Sequence, residues 1–109
     1  MSERRREVDV SEAELDAGLG VYTLFFSVPR FEIVFFKLVI ESYEGLASGR
    51  SMDRHPGDDE GRVLEAVLAV PDLIEDTRRM LSWLLEATDA VQVPSSSALR
   101  RELREALSL

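Results

Sequence analysis

With 109 residues, 45% of them hydrophobic, the chain has the length and apolar share of a single globular domain with a real core. Its formal net charge of −8 sets the mean field against phosphate backbones and anionic lipid, which counts against nucleic-acid and membrane partners. Cysteine is absent, so disulfides, thiolate chemistry and cysteine-ligated metals are excluded and a reducing compartment fits.

The chain opens Met1-Ser2-Glu3-Arg4-Arg5-Arg6 and then turns acidic, without the apolar region a secretory signal requires. A cytoplasmic location is the expectation. Residues 1–19 read as a polar, loosely attached arm. Ser11 and Glu14 are spaced as a capping box for a helix as far as Ala17, and the alternative is an edge strand through Val8 and Val10.

The domain proper is expected over 20–94. Three Val-Pro pairs punctuate it, at Val28-Pro29, Val70-Pro71 and Val93-Pro94. Proline fixes its own φ, holds the preceding residue extended and suits a first helical turn, so each pair marks a strand-to-helix junction.

Val21 to Val28 alternates with bulky residues on both sides, Tyr22, Leu24, Phe26 and Val28 against Val21, Thr23 and Phe25. That pattern predicts a central strand covered on both faces. From Arg30 the period becomes helical. Arg30, Lys37, Glu41 and Glu44 form a narrow wet stripe on an otherwise apolar core helix, with Lys37 and Glu41 spaced as an ion pair and Gly45 as the stop. The dense apolar run from Phe31 to Ile40 falls well short of the roughly 20 residues of a membrane span.

Leu46 to Arg54 reads as a polar edge strand and His55 to Gly61 as a turn. Arg62 to Val70 returns as a nearly two-sided strand, Val63, Glu65, Val67 and Ala69 sharing one face. A second helix follows Pro71, with Leu73, Ile74, Thr77, Met80, Leu81, Leu84 and Leu85 on its apolar face. Ala90 to Val93 is a short closing strand. Residues 95–109 form a C-terminal amphipathic helix with Leu99, Leu103, Ala106 and Leu107 as its stripe.

The order is that of a ferredoxin-like βαββαβ two-layer α+β sandwich, extended by a polar N-terminal arm and an extra C-terminal helix. In that arrangement the first and third strands are central and both helices pack on one face. The second face, which on one of the two possible phasings carries Phe25 with Val63 and Val67, then needs a lid: the C-terminal helix, the arm or a second copy of the chain. Self-association as a homodimer is the favoured expectation. Phe25, Val63, Val67, Trp83, Leu99 and Leu103 are the candidate interface residues, and a protein partner or a small ligand is the wider alternative.

Residues that carry chemistry are few. His55 lies in the predicted turn among Asp53, Asp58, Asp59 and Glu60, too compact a set for an EF-hand, so no metal or other cofactor is expected. Glu41 and Glu44 flank Tyr43 and continue the wet stripe. Arg4-Arg5-Arg6 and Arg100, Arg101 and Arg104 are interleaved with acids, and the third strand lacks the aromatics of an RNA platform. Trp83 sits off the main stripe of its helix, as an interface residue or a cover for the core margin.

The phrase Glu41-Ser42-Tyr43-Glu44-Gly45-Leu46-Ala47, preceded by Pro29-Arg30-Phe31-Glu32-Ile33, resembles a family of short bacterial domains of unknown function over roughly residues 21–93. The arrangement is also similar to ACT-type regulatory domains, which pair through sheets or helices and hold small ligands between copies. In place of their Gly-rich ligand turn stands Pro29-Arg30-Phe31. Together these imply a non-catalytic binding or regulatory domain, with a small dimeric enzyme holding an apolar pocket between sheet and helices as the alternative.

Overall fold

A computed structural model describes residues 7–10, 14–16, 20–43, 45–52 and 61–107, with the backbone alone for 14–16. Its elements are β1 (Glu14–Asp16), β2 (Val21–Pro29), α1 (Ile33–Ser42), β3 (Ala47–Met52), β4 (Arg62–Ala69), α2 (Ile74–Ala87), β5 (Val91–Val93) and α3 (Ser97–Leu107). The architecture is α+β. Every pairing in the sheet is antiparallel, β2 and β4 are central, and β3 forms one edge. The other edge is shared: β5 lies against Phe25–Ser27 and β1 against Val21–Thr23, both on the free side of β2.

The Val-Pro junctions behave as the sequence predicts, with one local refinement. Pro29 (φ −55°, ψ 139°) and Val70 (φ −68°, ψ 127°) keep the chain extended up to the turn, and a single 3-10 turn, Arg30–Glu32 or Pro71–Leu73, then leads into α1 or α2. Gly45 closes the turn after α1 with φ +85°, a value that glycine adopts without the penalty of a Cβ.

Register fixes which side chains share a face, since directly opposed residues point the same way. Leu24 pairs with Val67 and Val28 with Val63, so these four point toward α1 and α2. There Leu24, Phe26, Val28 and Val67 build the main core with Phe36, Ile40, Met80, Leu81, Leu84 and Leu85. Phe25 pairs with Ala66, and the opposite face carries Phe25, Leu64, Ala66 and Met52. Val63 and Val67 therefore do not share the second face with Phe25 as expected; Leu64 and Ala66 do. The strand was legible, but its phase is set by the pairing with β2.

The second face has a lid, and it is α3. Leu103 is buried there, and Val93, Leu99 and Leu107 pack around the cluster, while Arg50 of β3 donates to the carbonyl of Ala106 at 2.9 Å. Phe25 and Leu103 are thus covered within the chain. The interface expected at them is intramolecular.

The N-terminal arm also departs from expectation. Glu14–Asp16 is a strand, not the end of a helix; Ser11 and Ala17 lie outside the described residues. The described part of the arm is fastened rather than loose. Val8 is buried in the main core and its N–H donates to Ser82 Oγ at 3.0 Å. Asp9 and Gln92 exchange two hydrogen bonds, Asp9 N–H to Gln92 Oε1 at 2.8 Å and Gln92 Nε2 to the Asp9 carbonyl at 3.0 Å. At the far end of the sheet Arg62 donates to Ser27 and to the Asp89 carbonyl, and the Asp89 N–H donates to Glu32. These ties hold the loop before β5 against the start of α1.

Candidate interaction surface

Helix α1 is apolar on almost all sides, a pattern that normally belongs to a fully buried helix. Here only one side is buried, through Phe36 and Ile40, with Ile33 and Val39 half-covered. Val34, Phe35 and Leu38 fall on the opposite side and stand 73%, 44% and 62% exposed, and Phe31, in the 3-10 turn that leads into the helix, is 83% exposed. Three large apolar side chains on one helix side, with Phe31 just before them, form a patch of the kind that marks an interaction site. The solvent side of α1 is therefore largely apolar, beside the narrow wet line on which Arg30 and Glu41 are exposed as expected. The cause is geometric: the sheet covers one side of a helix, and α2 lies beside α1 rather than over it.

Trp83 extends this surface. It is 54% exposed, and its ring lies 6.3 Å from that of Phe35, tilted by 47°. The pair is within the range of favourable aromatic contact, so α2 adds an aromatic shoulder to the stripe. Beyond Trp83 a hollow of about 420 Å³ is lined by Tyr43, Leu46, Asp76, Arg79, Met80 and Trp83. The Tyr43 ring and the Arg79 and Asp76 charges give its rim polar handles.

Under α1, on its covered side, lies a buried carboxylate that the sequence reading passed over. Glu65 sits opposite Phe26 and Ser51 on β4, with no solvent exposure. Ser51 Oγ donates to Glu65 Oε1 at 2.8 Å and Lys37 Nζ donates to Ser51 Oγ at 3.3 Å, while Glu65 Oε2 has no hydrogen-bond partner. Burial pushes the Glu65 carboxyl above its usual range; the Ser51 hydrogen bond and the Lys37 charge oppose this, and Glu41 adds to it. Gly49 makes the room, because a Cβ there would stand 2.6 Å from Glu65 Oε2. The signal available in the sequence was a lone acid in the apolar run from Val63 to Ala69, facing a strand that alternates Gly49 and Ser51.

The other sequence candidates are dispersed. Lys37 turns to Ser51 instead of pairing with Glu41. Glu41 and Tyr43 are exposed, Tyr43 at the hollow. Val63 is half-buried, Val67 fully buried, and Leu99 is half-covered against the α3 cluster, so of the six candidate interface residues only Trp83 stands on an open surface. His55, its acidic neighbours Asp53 to Glu60, and Glu44 lie outside the described residues. Among the described residues no helix is long and apolar enough to cross a membrane.

Comparison with protein-family models, curated proteins and solved structures finds no match to this chain.

Proposed function

We propose that the chain is a non-catalytic, ferredoxin-like binding domain that acts by associating with a second copy of itself through the outer face of α1 and Trp83. The fold name rests on the order of β2, α1, β3, β4, α2 and β5 and on the central places of β2 and β4. The observation that carries the function is the exposed apolar surface of Phe31, Val34, Phe35 and Leu38 at the start and along the outer side of a helix that is apolar on almost all sides. Burying a large side chain of this kind is worth roughly 1.5–3 kcal/mol, so leaving four of them in water is costly unless they are used. In an ACT-like arrangement, a small ligand would be held in the hollow beside Trp83.

Sedimentation velocity across a concentration series tests the reading. The wild-type protein is expected to sediment as a dimer and the Val34→Asp and Leu38→Asp variants as folded monomers. A wild-type protein that remains monomeric up to the highest soluble concentrations overturns it.

A further inference from the structure

The hollow beside Trp83 is walled by one line of α2 and by the turn that ends α1. Asp76, Arg79, Met80 and Trp83 stand at i, i+3, i+4 and i+7 within α2, the spacing of a single helical stripe, and Tyr43 and Leu46 complete the lining from the turn. That turn is fixed by its backbone. The Tyr43 N–H donates to the Ile40 carbonyl at 3.2 Å, the Leu46 N–H to the Tyr43 carbonyl at 3.1 Å and the Val70 N–H to the Leu46 carbonyl at 3.1 Å. One chain therefore supplies every wall, around a volume of about 420 Å³ that is of the size to take a small ligand.

The chemistry of the walls favours one class of ligand. Trp83 and Tyr43 place two aromatic side chains at the hollow, 54% and 46% exposed, while Met80 is buried and Leu46 half-buried. Aromatic faces attract organic cations, tryptophan most strongly. The charges agree with the rings. Arg79 Nε has Glu75 Oε2 at 3.9 Å, whereas Asp76, three residues before Arg79 on the same line, makes no ion pair or hydrogen bond among the described residues. Asp76 is thus the uncompensated charge of the hollow, in a protein whose net charge of −8 already draws cations.

We infer that the hollow binds a small alkylammonium cation, its charged head against Trp83 and Tyr43 with Asp76 as counter-charge and its apolar body on Met80 and Leu46. This names the class of the small ligand placed beside Trp83 in the reading above and rests on that part of it; because one chain builds the walls, it does not depend on the dimer.

Trp83 is the only tryptophan of the chain, so its fluorescence reports on the site directly. Choline is the probe, the neutral isostere dimethylbutanol, in which carbon replaces the quaternary nitrogen, is its control, and sodium chloride at matching ionic strength accounts for general salt effects. Choline is expected to change the emission saturably in the millimolar range, and the alcohol to bind about tenfold more weakly or not at all. Asp76→Asn and Tyr43→Leu are each expected to raise the choline dissociation constant by a factor of about three to ten, with thermal midpoints near wild type because both side chains are exposed. Equal binding of choline and the alcohol, or wild-type affinity in both variants, overturns the cationic class and leaves a small-ligand hollow in place. No saturable response to either compound beyond that of the salt overturns the cationic class and the ligand reading together, while the dimer is judged separately by sedimentation.

Discussion

Two large apolar surfaces of this domain meet different fates. The sheet face carrying Phe25, Leu64 and Ala66 is closed by α3, whose Leu103 is buried in it. Among the described residues nothing comparable lies over the outer face of α1, where Val34, Phe35 and Leu38 follow the exposed Phe31. The difference is one of cover: α3 packs on the sheet face and not on the outer face of α1. An entire helix is available as a lid, and it goes to the sheet. Its neighbour α2 exposes Glu75, Asp76, Arg79 and Glu86, the ordinary charged exterior of a surface helix. Arg78 beside them bonds Glu75 and Glu7, and its hydrogen bond to Glu75 holds that carboxyl below its usual range.

The comparison is broken most directly at Leu103. Replacing it by Asp puts a carboxylate into an apolar cluster and removes the packing there, a loss of about 4 kcal/mol or more against total stabilities of about 5–15 kcal/mol. Urea unfolding should show a large fall in midpoint or no folded baseline at all. An unchanged midpoint would mean that the sheet face tolerates water and that its contrast with α1 is illusory.

A smaller effect is expected at Gly49, inside the core that α1 does cover. Gly49→Ala drives a methyl toward Glu65 Oε2, and overpacking of this kind costs about 1–3 kcal/mol. The same unfolding measurement reads it, and a stability equal to wild type would show that the Glu65 carboxyl moves aside freely.

Much of this layout was legible from residue patterns. The three Val-Pro junctions placed every strand-to-helix transition from β2 onward, because proline acts on the backbone locally and needs no partner to do so. The second face and its need for a lid were likewise readable from the two-sided alternation of Val21 to Val28. What failed depended on distant partners. The phase of β4 is fixed by which residue of β2 stands opposite, and a slip of one exchanges the faces, so the strand's own pattern leaves open whether Val63 and Val67 or Leu64 and Ala66 join Phe25. Glu14 was read as part of a helical cap, and its pairing with Thr23 overrode that local signal. The surface on α1 was hidden for the opposite reason: Phe31, Val34 and Leu38 look like core residues until the one side that the sheet can cover is known.

Glu65 offers a pH-dependent way to sharpen the contrast between the covered and open sides of α1. Its carboxyl is pushed up from an ordinary value of 4.5, so the folded state holds the proton more tightly than the unfolded chain. Below pH 4.5 both states are protonated and the group is neutral in its effect. As pH rises above that value, stability is lost progressively until the folded-state carboxyl has also ionised. Glu65→Gln keeps an acceptor for Ser51 and cannot ionise. Its thermal midpoint should match wild type near pH 4 and exceed it increasingly as pH rises, until the folded wild-type carboxyl has ionised. A gap that shrinks with rising pH would reverse the assigned sign and place the carboxylate in a stabilising environment.

The smallest stability effect is expected at Leu38, and its smallness is the point. Leu38→Asp changes a side chain that is 62% exposed within its own chain, so the monomer should lose no more than about 0.5 kcal/mol. A dimer adds a second contribution, because association stabilises the folded state by mass action and makes the thermal midpoint rise with concentration. The wild-type midpoint should therefore climb over a hundredfold concentration range while that of the variant stays level, and the two should converge at the dilute end. Convergence separates an open surface used between copies from a covered one, since a buried Leu38 would leave the variant unstable at every concentration, as at Leu103. If the two proteins instead differ by a constant amount throughout, α1 has a cover within the chain, and the two apolar surfaces are alike after all.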